Sequence, residues 1–176
     1  IRMMAGNVDY TQGAMRNAVK KDFRDIYSSP MSQGTRCHQL ATYIVFDSPL
    51  VMLCDAPTAY RKEPECTRFI AGLPVVADET RILQGKMGEY IVTARRVGED
   101  WIVGGLTDWE ARTVDLDLSF LPEGMFRAEI FCDGINADKK GEDYRHEYRD
   151  VKREDRLKMQ LAPGGGFAIR LKKNHN

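Results

Sequence analysis

Thr113-Val114-Asp115-Leu116-Asp117-Leu118-Ser119-Phe120 alternates without a break, with Val114, Leu116, Leu118 and Phe120 set against Thr113, Asp115, Asp117 and Ser119. Successive side chains of a strand point to opposite faces, so this stretch predicts a β-strand with one face in a core and one in water. Outward from it stand further strand-length runs, less regular, at residues 87–96, 101–106, 126–132, 157–161 and 167–171. Between them lie Gly98-Glu99-Asp100, Leu121-Pro122-Glu123-Gly124, Asp133-Gly134 and Pro163-Gly164-Gly165-Gly166, all of them turn chemistry. Short strands at this spacing predict an antiparallel β-sandwich of about seven or eight strands, expected to fold as an autonomous unit from Asp78 onward.

Upstream of Asp78 the period changes. Cys37, Leu40, Ala41 and Ile44 recur at spacings of three and four, which predicts a helix over 36–46 with Thr35 as its N-cap and Ser48-Pro49 as its stop. Residues 1–8 read as a strand entering a turn. Residues 50–54 form a continuous apolar run, as expected of a strand covered on both faces, and Pro64 opens another helix through Phe69, Ile70 and Leu73. Helix, strand, helix is α/β grammar, so the chain reads as α/β followed by all-β.

Composition narrows the function. Of 176 residues, 43% are hydrophobic and 30% charged, which is the profile of a folded chain. The 26 basic and 26 acidic residues cancel, so the basic excess that supplies most nucleic-acid affinity is absent. No apolar run approaches the length of a membrane span. The chain opens at Ile1 with no signal segment and reads as a piece of something longer. Cys37, Cys54, Cys66 and Cys132 form no C-x-x-C pair; buried free thiols fit them better than disulfides or a metal site.

Candidate chemistry is sparse. Asp9 and Asp55 each follow an apolar strand-like run, and carboxylates just past strand ends in a parallel α/β fold lie on the ligand face. Both are therefore candidates to line a sugar pocket, with Tyr10 beside Asp9; the alternative is that each caps the next turn or helix. Cys37 and His38 are adjacent, but neighbouring helical residues point about 100° apart, which disfavours a nucleophile pair and leaves His38 as a satisfied core or helix-start residue. His146 and His175 have no ligand partner at useful spacing. Pro163-Gly164-Gly165-Gly166 lacks the Lys-Ser/Thr and helix of a phosphate loop and reads as a hairpin turn. Residues 133–138 resemble part of a calcium loop with the central glycine and terminal glutamate misplaced. Trp101, Trp109 and Tyr90 would stack on sugars if exposed; aromatic residues at strand spacing more often belong to a core.

Several ordered strings carry a resemblance over nearly the whole chain: residues 4–15 (MAGNVDYTQGAM), 34–41 (GTRCHQLA), 48–55 (SPLVMLCD), 63–66 (EPEC), 78–80 (DET), 88–96 (GEYIVTARR), 107–109 (TDW), 133–138 (DGINAD) and 161–166 (LAPGGG). Together they resemble the C-terminal part of glycoside hydrolase family 97, bacterial α-glucosidases and α-galactosidases. Asn7-Val8, Gln12 and Ala77 depart from the family pattern. The resemblance implies a parent with an N-terminal β-sandwich, a central (β/α)8 barrel and a C-terminal β-sandwich. Residues 1–77 would then be the last barrel units, with Asp9, Tyr10 and Asp55 at the substrate face, and residues 78–176 the C-terminal sandwich. The family's catalytic carboxylates and calcium-binding glutamates lie upstream of Ile1, so this chain alone is expected to be inactive and to bind no calcium. The implied setting is periplasmic or extracellular, with an oligosaccharide as substrate and the upstream domains as partners. A non-catalytic carbohydrate-binding or structural β-sandwich is the alternative.

Overall fold

The computed structural model describes Met3 and residues 6–174 of the chain. Two short parallel pairs open it: β1 (Tyr10–Gln12) with β4 (Val51–Leu53), and β2 (Asn17–Ala18) with β3 (Ser32–Gln33). Three helices lie among and after them, α1 (Arg36–Val45), α2 (Pro57–Lys62) and α3 (Pro64–Ala71). Eight antiparallel strands follow: β5 (Glu79–Lys86), β6 (Tyr90–Val97), β7 (Asp100–Thr107), β8 (Arg112–Asp117), β9 (Phe126–Asp133), β10 (Tyr144–Val151), β11 (Arg156–Leu161) and β12 (Gly166–Lys173). Six of these form one sheet in the order β10-β9-β12-β7-β6-β5, and β8 pairs with β11 as a second layer. Among the described residues no helix is long and apolar enough to cross a membrane.

The quoted alternation lands as expected. Val114, Leu116 and Leu118 are buried, while Asp115 and Asp117 face outward. Across the pair, β11 repeats the pattern through Leu157, Met159 and Leu161. These residues meet Val92, Trp101, Val103, Phe126, Ile130, Phe167 and Ile169 from one face of the six-stranded sheet.

The opposite face is covered as well. Leu40, Cys37 and Ile44 of α1, with Cys66 and Phe69 of α3, pack on Ile102, Phe131 and Ala168. At β7, a Cβ on Gly104 would lie 2.9 Å from the Ile44 Cβ and 3.0 Å from the Ala41 carbonyl oxygen, so glycine lets the helix approach the sheet this closely. The helix starts where Thr35 accepts from the His38 N–H at 3.1 Å, and the Arg36 N–H donates to the Gly141 carbonyl. Arg36 itself is fully buried, its guanidinium donating to Asn17 Oδ1 and the Met15 carbonyl and pairing with Glu63 at 2.9 Å. The sheet is thus held between the β8–β11 pair and the helices. A segment starting at Asp78 would leave the sheet face that meets α1 and α3 uncovered.

The structure bears on four further expectations. Of the strand expected over 1–8, residues 1, 2, 4 and 5 lie outside the described residues, and the described strand begins only at Tyr10. Within this chain the apolar run at 50–54 leaves Leu50, Met52 and Leu53 58%, 49% and 48% exposed. The run at 87–96 is broken by a turn, with Gly88 at φ +81° between β5 and β6. Pro163-Gly164-Gly165-Gly166 closes no hairpin, because β11 and β12 belong to different layers and the turn carries the chain between them.

Candidate functional site

The parallel pair β1–β4 carries the candidate sugar-pocket residues Asp9, Tyr10 and Asp55 at or beside its ends. Past its carboxyl end, Asp55 Oδ2 accepts from the Met15 N–H at 2.7 Å and Oδ1 from the Ala56 N–H at 2.7 Å. Tyr60, on α2, donates its hydroxyl to the Gly13 carbonyl at 2.7 Å and accepts from the Asp55 N–H at 3.1 Å. The two side chains stitch the ends of β1 and β4 together and set the start of α2, where Pro57 occupies the first turn. Gly13 sits at φ +125°, and a Cβ there would stand 2.7 Å from the Tyr43 hydroxyl and 2.8 Å from that of Tyr60. Burial raises the Tyr43 and Tyr60 hydroxyls above the usual phenol range, so both stay protonated near neutral pH.

Asp9 and Tyr10 are placed differently. Because β1 begins at Tyr10, Asp9 stands exposed before the strand rather than after it. Tyr10 pairs with Val51, so Asp9 and Asp55 flank opposite ends of a ladder whose three pairs span about 7 Å. The Tyr10 ring packs edge-on to Phe46 at 5.4 Å and its hydroxyl donates to the Thr42 carbonyl at 3.2 Å, which commits the side chain to α1. Desolvation pushes its hydroxyl up to about 12. Two open clefts, of about 540 and 460 Å³, are lined respectively by residues such as Phe46, Ile82 and Met87 and by residues such as Asp133, Arg145 and Met159. Neither is lined by Asp9, Tyr10 or Asp55.

The other candidates resolve into structure. Asp133 is buried, and its carboxylate accepts from Thr35 Oγ1 at 2.6 Å, from the Ala162 N–H at 2.9 Å and from the Gly166 N–H at 3.0 Å. Burial raises its pKa to about 6 against the lowering effect of those donors. A carboxylate surrounded by donors is turned away from cation binding, and Asp143 nearby accepts from the Asn136 N–H. Among the described residues no group of three or more His, Cys, Asp or Glu side chains could hold a metal ion. The Cys37 thiol is fully buried and pushed well above its ordinary value by desolvation, with no thiolate for a nucleophile. His38 is a satisfied residue, its Nδ1 lying 3.2 Å from the Gly165 carbonyl, and burial lowers its pKa. Cys66 and Cys132 are also buried free thiols, whereas Cys54 is exposed. Trp101 is core, and Trp109 is half-buried against Gly164. Tyr90 is half-buried too, beneath Arg112 at 5.5 Å.

His175 lies outside the described residues, but His146 has partners that sequence spacing did not show. Its ring stacks on Phe131 with centroids 4.0 Å apart, Nε2 lies 3.2 Å from Glu129 and Nδ1 3.5 Å from Glu65. Tyr148 donates to Glu129 at 3.0 Å and Tyr144 to Glu65 at 3.0 Å. These contacts tie α3 to the β9–β10 end of the sheet.

Comparison with known proteins matches this architecture. The family described as "Glycosyl-hydrolase 97 C-terminal, oligomerisation" matches residues 76–172. A retaining alpha-galactosidase of Bacteroides thetaiotaomicron is 57% identical over 172 residues, covering 98% of this chain and 26% of its own length. A probable retaining alpha-galactosidase of Streptomyces bingchenggensis is 27% identical, over 95% of this chain and 24% of that protein. The chain therefore spans about a quarter of the length of these relatives. Among solved structures, a glycoside hydrolase family 97 enzyme from Pseudoalteromonas sp. strain K8, in complex with acarbose, superposes with a TM-score of 0.77 at 37% identity, over 81% of this chain and 23% of that one. From the family match and these likenesses, the chain belongs to glycoside hydrolase family 97 and carries its C-terminal domain.

Proposed function

We propose that this chain is the C-terminal part of a retaining α-galactosidase. The observation that carries the reading is the 57% identity to the Bacteroides enzyme across 98% of the chain. A retaining glycosidase needs two carboxyl groups roughly 5–5.5 Å apart on either side of the scissile bond. Asp9 and Asp55 flank opposite ends of their strand pair, so they do not make that couple, and the catalytic acids are assigned to the upstream polypeptide. The chain's share is structural and positional.

Residues 1–77 are proposed as the last units of the (β/α)8 barrel and residues 78–176 as the C-terminal β-domain. In support, β1 and β4 pair in parallel, and the exposed Leu50, Met52 and Leu53 would find cover against neighbouring barrel strands. Within that barrel, Asp55 sits at the carboxyl end where substrates bind, and we assign it, rather than Asp9 or Tyr10, to the rim of the sugar pocket. Calcium, held by upstream glutamates, and a periplasmic or extracellular setting belong to the same reading of the longer protein. The C-terminal domain serves its assembly into oligomers, in keeping with the family description.

The test is hydrolysis by the intact protein of aryl α-galactosides and aryl α-glucosides, with the anomer of the first-formed sugar followed by NMR. Faster turnover of the galactoside with retained configuration is expected. Inversion, or a preference for the glucoside, counts against it, and sugar binding without turnover favours a non-catalytic carbohydrate-binding module.

A further inference from the structure

The six-stranded sheet ends in two open edges, and they differ. On β5 the ladder slips between Ile82 and Gln84, a bulge of the kind that twists an edge away from further pairing. On β10 the ladder to β9 runs unbroken from Tyr144 to Val151, and no other strand among the described residues pairs with its outer side. That strand reads Tyr144-Arg145-His146-Glu147-Tyr148-Arg149-Asp150-Val151. Charge on an edge strand ordinarily repels a second strand. Here the sign alternates, so the outcome depends on register.

Two identical strands pairing antiparallel about a twofold axis must be centred on a residue, because directly opposed residues share a face of the sheet. Centred on Glu147, Arg145 faces Arg149; centred on Arg149, that residue faces its own copy. Centred on Tyr148, Glu147 meets Arg149 twice and His146 meets Asp150 twice, with every residue from Arg145 to Val151 engaged. A register centred on His146 also matches charges but engages only Tyr144 to Tyr148 of the strand. The Tyr148 register therefore keeps the longer ladder and leaves no like charges opposed. Two details of the surface agree with it. Tyr148, 55% exposed, would be covered at the axis, and Arg149 has no ion-pair partner within the chain among the described residues.

We infer that β10 of one copy adds antiparallel to β10 of a second copy, centred on Tyr148, so that one sheet runs through both. The inference rests on the oligomeric reading above and adds the surface and register. Sedimentation velocity of the intact protein over a concentration series tests it, with unfolding curves to confirm that each variant is folded. Glu147→Arg and Arg149→Glu are each expected to weaken association about tenfold or more by opposing like charges. Glu147→Arg combined with Arg149→Glu exchanges the two charges across the axis and is expected to restore association. Assembly that ignores the single reversals overturns the β10 interface and leaves the oligomeric reading standing. Failure of the double variant to recover overturns the Tyr148 register. A wild-type protein that is monomeric at every concentration overturns both.

Discussion

Replacing Leu40 by alanine tests whether the helix layer and the sheet are one cooperative unit. Leu40 is fully buried between α1 and the sheet, and Leu116 is equally buried in the opposite layer. Truncating either removes a buried branched side chain and leaves a cavity, at a cost of about 2–5 kcal/mol. For a chain of this length, 3 kcal/mol lowers Tm by roughly 6–12 °C. Trp101 reports on the far side of the sheet from Leu40, being 2% exposed and edge-on to Phe120 at 5.0 Å. In a Trp109→Phe background its fluorescence follows the core that Leu116 helps form. If the layers unfold together, urea curves read at Trp101 shift by similar amounts in Leu40→Ala and Leu116→Ala. A Leu40→Ala shift below about 0.5 kcal/mol beside a full Leu116→Ala effect would refute the single three-layer unit.

Gly104→Ala should cost about 1–3 kcal/mol in urea unfolding, since the new methyl meets Ile44 and the Ala41 carbonyl; a neutral change would mean that α1 sits farther from the sheet. Asp117→Ala, on the solvated face of β8, should change stability by about 0.5 kcal/mol or less, and a loss matching Leu116→Ala would show the strand phase to be reversed. Asp133 is raised to about 6 in the folded chain, above its unfolded value, so the stability it contributes is full below about pH 4 and is lost as pH rises through 6. Asp133→Asn, which stays neutral, should gain on the wild type by up to about 3 kcal/mol between pH 3 and 7, and parallel pH profiles would contradict the buried carboxyl. Asp55→Ala in the intact protein should lower Tm by releasing the Met15 and Ala56 N–H groups, and should lower kcat/KM about tenfold if it also meets the sugar; unchanged kinetics with a lowered Tm would confine it to the turn.

What the sequence made legible follows from which faces are wet. β8 and β11 alternate because one side of their layer meets water, and the helix over 36–46 declared itself through Thr35 and its apolar face. β7 reads as a continuous apolar run because Trp101 and Val103 point into one core and Ile102 into the other. β5 and β10 were missed as strands. Much of their length is charged, and as edge strands they bury few side chains, so no period marks them. α2 spans six residues and buries only Tyr60, too little for a helical stripe.

The candidate site divides along a different line. The signal for Asp55, a carboxylate after an apolar strand, is local and matches its place after β4, whereas Asp9 immediately precedes β1, which begins at Tyr10. Asp133 drew attention only as part of an imperfect calcium loop, since its partners are remote in sequence: Thr35 lies 98 residues away, Gly166 33 and Ala162 29. Those bonds join the N-cap of α1, the end of β9 and the turn between β11 and β12 at one buried carboxylate. Thr35 donates to Asp133 while accepting from the His38 N–H, so the helix start depends on the sheet for its orientation. The Thr35 N–H also reaches the Gly164 carbonyl, and His38 the Gly165 carbonyl, from the same turn. A helix capped by the layer it covers has little reason to fold apart from it. The Asp133 junction is therefore the physical ground for expecting Leu40→Ala to be felt at Trp101.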